Sequence, residues 1–178
     1  DGAIALDARI RLSVTAPSGA LNFAIRPYPA HLIETMEWHD RTITLRPIRP
    51  EDEAMHLEFL GDLAPEDVRM RVFYSRRSIE RSELARLTQI DYAREMAFVA
   101  TDTGPDGAER TLGVVRAIAD PDNGDAEFGI IVRSELKGEG LGELLLQHLI
   151  DYLREHGTQR LVATVLSENT RMLQLARE

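Results

Sequence analysis

Apolar and polar side chains alternate over residues 3–14 (AIALDARIRLSV), the pattern of a half-buried strand. Pro17, Gly19, Pro27 and Pro29 then interrupt it. Residues 15–39 therefore read as a connector, with one extended piece at Leu21–Ile25 and a turn of helix after Pro29. From residue 40 onward the pattern is continuous. RTITLRPI (41–48) predicts a strand that Pro47 and Pro50 end, and Pro50 with two following acids opens a helix that runs to Gly61. APEDVRMRVF repeats the Pro-then-acid opening, and Ile79, Leu84, Leu87 and Ile90 recur at roughly helical spacing. The period then drops to two. MAFVATD (96–102), RTLGVVRAIAD (110–120) and AEFGIIV (126–132) predict three strands, the last two joined through the turn pair Asn123-Gly124. Leu141, Leu145, Leu149 and Leu153 form an i, i+4 stripe on a long helix that Gly157 closes. QRLVATVL (159–166) predicts a further strand, and ENTRMLQLARE opens another helix. Two antiparallel hairpins before any long helix imply an α+β fold, a mixed and mostly antiparallel sheet flanked by helices.

A length of 178 residues suits one good-sized domain with a piece of another, and 43% hydrophobic with 29% charged residues is globular composition. No apolar run approaches the length of a membrane span, and DGAIALDARI carries no basic start or cleavage pattern. The chain begins without Met, inside a strand-like pattern, and is read as a piece of a longer protein. With no cysteine there is no disulfide framework, thiolate metal site or acyl-cysteine intermediate. Thirty acidic against 21 basic residues give a net charge of -9, unsuited to a nucleic-acid backbone and better matched to cationic substrates or basic partner surfaces. His31, His39, His56, His148 and His156 show no metal-binding spacing, so no metal is expected. Trp38 and His39 read as packing residues.

The chemistry concentrates in AEFGIIVRSELKGEGLG (126–142), where a strand and a short polar link lead to a glycine-rich turn and a helix N-terminus. Gly138, Gly140 and Gly142 allow close backbone approach, and the free amides of the first helical turn suit a pyrophosphate. The spacing is neither the dinucleotide fingerprint nor a P-loop. A glycine-softened loop before a surface helix is the simpler alternative.

KGEGLG resembles the Q/R-x-x-G-x-G/A motif of the GNAT superfamily of acyl-CoA N-acyltransferases, with Lys137 standing where Gln or Arg is usual. LRPIRPEDE, RMRVF, LARLTQIDYAREMAFVA and ENTRMLQLA extend the resemblance over about 140 residues, to the GNAT domain of bacterial protein lysine acetyltransferases fused to an acyl-CoA synthetase-like region. The resemblance implies three parts: residues 1–14 as the tail of a preceding ATP-grasp domain, 15–39 as linker, and 40–178 as a GNAT domain lacking its final strand hairpin. It implies acetyl-CoA as co-substrate, its pyrophosphate on Lys137, Gly138, Glu139, Gly140, Leu141, Gly142 and Glu143, and its pantetheine arm against Ile131, Val132 and Asn169. Glu127 becomes the general base, desolvated among Ala126, Phe128, Ile130 and Ile131 if it faces the cleft, with Glu168 as second choice. The position of the family's usual acid, a Tyr seven residues after the Asn, holds Ala176. The basic run Arg69, Arg71, Arg76, Arg77, Arg81 and Arg86 either grips the CoA 3′-phosphate or an acidic partner, or is a solvated helix face.

The expected acceptor is a lysine on an acyl-CoA synthetase-type protein, in the cytoplasm, with no nucleic acid and no membrane involved. A small-amine acetyltransferase and a non-catalytic CoA-sensing module are the alternatives. The missing hairpin would leave an edge carrying Val162, Thr164 and Leu166 open to self-association, or to cover by residues 3–14.

Overall fold

A computed structural model describes residues 26–72, 79–104 and 107–176. The strand expected over 3–14, the extended piece at 21–25, and Arg76 and Arg77 of the basic run lie outside the described residues.

Six strands form one sheet in chain order: β1 (Glu34–Trp38), β2 (Arg41–Pro47), β3 (Glu95–Thr103), β4 (Glu109–Ala119), β5 (Asp125–Val132) and β6 (Arg160–Val162). The first five make an antiparallel meander, and β6 joins β5 in parallel. The helices are α1 (Glu53–Asp62), α2 (Pro65–Val72), α3 (Arg81–Thr88), α4 (Leu141–Glu155) and α5 (Thr170–Leu175). This is the α+β architecture that the hairpin order implied. The turn expected after Pro29 is a single 3-10 turn, Ala30–Leu32.

Each face of the sheet carries its own core. Along β3, Met96, Phe98 and Ala100 point to one face, where they meet Leu141, Leu145, Leu149 and Leu153 of α4. Ala97 and Val99 point to the other, against Phe59 and Leu63. This is the two-residue period of a strand buried on both sides. The leucine stripe of α4 is buried as its spacing predicted, with Leu141, Leu145 and Leu149 fully enclosed. Between Ala100 and Thr101 the β3–β4 register slips: Ala100 opposes Gly113, Thr101 opposes Thr111, and Leu112 is the extra residue. The bulge lets Leu112 and Val115, three positions apart, enter the same core.

Behind β2, Arg46 holds Asp52 through two 2.7 Å bonds, with both side chains almost wholly buried. Asp52 also accepts the Arg49 amide at 3.0 Å, which fixes the entry to α1. Burial opposes ionisation of Asp52, but the Arg46 hydrogen bonds outweigh it and hold the carboxyl below the usual carboxylate range.

Two elements differ from the sequence expectation. β1 occupies part of the stretch read as connector. The strand expected over 159–166 is three residues long, because only Arg160–Val162 stay in the ladder.

Candidate active site

The shortness of β6 makes the site. Asp125, Ala126 and Glu127 pair with Arg160, Leu161 and Val162. Past that point the chain leaves the sheet, and a cleft of about 570 Å³ opens between Phe128–Val132 and Ala163–Val165. The glycine turn and the start of α4 form one rim, and α2 supplies Asp67, Met70 and Arg71.

Gly140 is the N-cap of α4 with φ 84°, and Gly138 has the same φ. No described residue lies within 4 Å of a Cβ built at either position. Glycine is needed here for left-handed backbone and not for want of space. The amides of Gly140, Leu141, Gly142 and Glu143 find no acceptor among the described residues. A fifteen-residue helix thus begins with free donors facing a cleft, which is the arrangement that binds a phosphate or pyrophosphate.

The loop ahead of that helix is tied down on both sides. Asp67, nine-tenths buried, accepts the Ser134 hydroxyl at 2.6 Å and pairs with the Lys137 ammonium. Ser134 in turn accepts the Ala64 amide at 3.0 Å. Arg133 donates to the Thr111 carbonyl at 2.6 Å and to Asp62 at 3.0 Å. From the far end of the sheet, the His39 ring bonds the Glu139 carbonyl at 2.9 Å. Lys137 lines the cleft with its ammonium committed to Asp67; burial, and after it the charge of Arg171, pulls its pKa down.

Glu127 lines the cleft where β5 and β6 part. It is exposed, however, so the desolvation expected from its apolar sequence neighbours is not there. Those neighbours alternate across the strand, and Ala126 and Phe128 pack on the opposite face, against the α4 core. What Glu127 has beside it is charge. The guanidinium of Arg71 lies across Gly129, where a Cβ would come within 2.3 Å of the Arg71 Cζ. Burial and then the neighbouring Arg116 lower the Arg71 pKa, while Glu127 opposes them. Arg116 itself is paired with Glu95.

Arg71, Gly129 and Ile131 also line a second cavity, of about 610 Å³, under α1 and α3. Its walls are mostly apolar, with His56 at one side. The His56 Nδ1 is buried with no partner among the described residues, and burial, then Arg116, push its pKa down to about 4.

Of the predicted site residues, Glu127, Ile131, Val132, Lys137, Gly138, Gly140, Gly142, Glu143 and Asn169 line the one cleft. Glu139 and Leu141 do not. Leu141 is a core side chain that offers only its amide, and the Glu139 carbonyl is taken by His39. The Asn169 Oδ1 caps α5 by accepting the Met172 amide at 3.1 Å, which leaves its NH₂ for a ligand. Glu168, the second-choice base, is ion-paired with Arg69 at 2.5 Å and does not line the cleft. The sequence reading missed Asp67, Met70 and His39. For the first two the signal was present: Asp67, Met70 and Arg71 stand at i, i+3 and i+4 in APEDVRMRVF, on one helix face.

Among the described residues no helix is long and apolar enough to cross a membrane, and no group of three or more His, Asp or Glu is arranged to hold a metal ion.

Comparison with known proteins agrees with this geometry. Residues 42–178 match the family described as the Acetyltransferase (GNAT) domain. The acetyltransferase PA5475 of Pseudomonas aeruginosa is 30% identical over 145 residues, covering 82% of this chain and 77% of that protein. The acetyltransferase Pat of Mycolicibacterium smegmatis is 30% identical over 151 residues, covering 83% of this chain and 42% of its own length. The chain therefore spans less than half of that second relative. The crystal structure of the GNAT domain of S. lividans PAT superposes with a TM-score of 0.75 at 24% identity, over 85% of this chain and 88% of that one. The chain belongs to the GNAT family of acetyltransferases, whose acyl donor is acetyl-CoA.

Proposed function

We propose that the chain acetylates the side-chain amine of a lysine on an acyl-CoA synthetase-type protein, with Glu127 as general base. The observation that carries this reading is the meeting of two cavities at Gly129 and Ile131. One holds the free amides of a helix N-terminus and the other is largely apolar, and Glu127 stands on the same strand two residues before the junction. A donor with a pyrophosphate fits the first cavity, and the methylene stem of a lysine fits the second.

Bound acetyl-CoA supplies an activated thioester, and the chain does the rest. The amides of Gly140 to Glu143 receive the pyrophosphate, and the NH₂ of Asn169 faces the pantetheine arm. The backbone of Phe128–Val132, with no ladder partner on the β6 side among the described residues, offers polar groups to the arm and to the thioester carbonyl. A lysine ammonium has a pKa near ~10.4 and must lose its proton before it can attack. Glu127 accepts that proton, directly or through water. Ala176 provides no acid for the leaving thiolate.

The lysine acceptor and the synthetase partner rest on the resemblance of the flanking segments and on the relative named acetyltransferase Pat. The test is transfer of labelled acetyl from acetyl-CoA to purified acyl-CoA synthetases. Glu127→Gln should bind acetyl-CoA as before and turn over about 100-fold more slowly or worse. Label found only on small amines would remove the protein acceptor, and a Glu127→Gln rate within a few-fold of the parent would remove the base.

A further inference from the structure

Residue 39 is one of two non-glycine positions with positive φ among the described residues, at φ 51° in the tight turn joining β1 to β2. Asn or Gly suits such a position best, and histidine is a strained choice. Its ring does something that a better turn residue would not. It reaches a residue one hundred positions away, bonding the Glu139 carbonyl at 2.9 Å, and it is steadied edge-on by Trp38 with ring centroids 4.5 Å apart. A carbonyl only accepts, so the Nε2 must carry the proton and donate.

The peptide held this way is the one linking Glu139 to Gly140. Its plane is rigid and trans, so its carbonyl and the Gly140 N–H point in opposite directions. Fixing the carbonyl toward His39 fixes the Gly140 amide away from the hairpin. A peptide whose carbonyl accepts a hydrogen bond is also a more polarised donor at its N–H. No described residue lies near the Cβ side of Gly140 or Gly138, so glycine's backbone freedom there meets no steric restraint from them. His39 supplies the missing restraint.

We infer that His39 is a positioning residue for pyrophosphate recognition, aiming the Gly140 amide through the Glu139 carbonyl. This rests on the reading of the glycine turn as the acetyl-CoA site.

The test compares two donors on the full chain: acetyl-CoA and acetyl-pantetheine, which lacks the pyrophosphate. His39→Asn relieves the backbone strain but is too short to hold Glu139. It should melt no lower than the parent, yet bind CoA about 5- to 10-fold more weakly in calorimetry, because the Gly140 amide is kept but no longer aimed, a loss short of removing its bond to a charged group. The KM for acetyl-CoA should rise by the same factor with kcat within two-fold. The KM for acetyl-pantetheine should not move. His39→Gln, whose amide can also donate, should recover most of the CoA affinity. Equal weakening for both donors, or unchanged CoA affinity in His39→Asn, overturns the inference. A parent chain that binds no CoA at all overturns the proposed function first and this inference with it.

Discussion

Gly140 and Gly142 belong to the same motif, and the structure predicts opposite consequences for the same substitution. Gly140 has φ 84° with no described residue near its Cβ, so Gly140→Ala meets no clash with them but must hold a left-handed alanine. That costs about 1–2 kcal/mol of stability. For a chain of this size it lowers Tm by roughly 2–8 °C. The chain can avoid the cost only by rotating the peptide, and that turns the first amide of α4 away from the cleft. Losing one hydrogen bond to a charged group weakens CoA about 10-fold or more. Gly142 lies within the first turn of α4, and a Cβ there would sit 3.8 Å from Ile130 and 3.9 Å from Leu175, in ordinary contact. Gly142→Ala replaces a poor helix former with the best one, for a gain of up to about 1 kcal/mol and a Tm rise of a few degrees. Its CoA affinity should stay within two-fold. Differential scanning calorimetry and CoA titration on both variants decide the matter. CoA affinity unchanged in Gly140→Ala, or lost equally in both variants, would refute the assignment of the cradle to these amides.

Acid sensitivity should trace to two buried groups. The unfolded chain protonates His56 near pH 6.5 and the folded chain only near 4, so stability is full above 6.5 and falls towards 4 by up to ~3 kcal/mol; urea midpoints across that range should flatten in His56→Phe. The Asp52 carboxyl is held low by Arg46, so its contribution is complete above the ordinary carboxylate pKa and disappears only as pH drops through the lower folded value. Asp52→Asn should destabilise the fold at neutral pH by ~3–5 kcal/mol, because it strands the buried Arg46 guanidinium. A loss below 1 kcal/mol in chemical denaturation would contradict that.

The legible parts were those whose physics is local. The α4 stripe, four of the five meander strands (β2 to β5) and the glycine turn each announce themselves within a dozen residues, through helical period, alternation and backbone freedom. β1 did not, because in Glu34–Trp38 only Trp38 is buried, so there was no apolar alternation to see. The end of β6 was hidden for another reason. Val162, Thr164 and Leu166 alternate as a strand would, and nothing local says that the chain leaves the ladder after Val162. The sequence reading gathered the cleft-lining residues that sit in one segment and overlooked those that packing brings in from a distance. Asp67 on Ser134 and Lys137, Arg71 across Gly129, and His39 on Glu139 all span 58 or more positions, as 137 − 67, 129 − 71 and 139 − 39 show.

The two walls of the cleft are unequal in anchorage. On one side, β5 is laddered along its whole length to β4, and α4 sinks its leucines into the core. On the other stand a three-residue strand and a six-residue helix with no buried side chain. Segments so thinly attached open locally at a small fraction of the global unfolding free energy. Amide hydrogens of residues 163–176 should therefore exchange early in the free protein, while those of β5 persist. A ligand lying against both walls ties the loose one to the firm one. Part of its interaction energy goes into that ordering, so an affinity measured for it understates the contacts it makes.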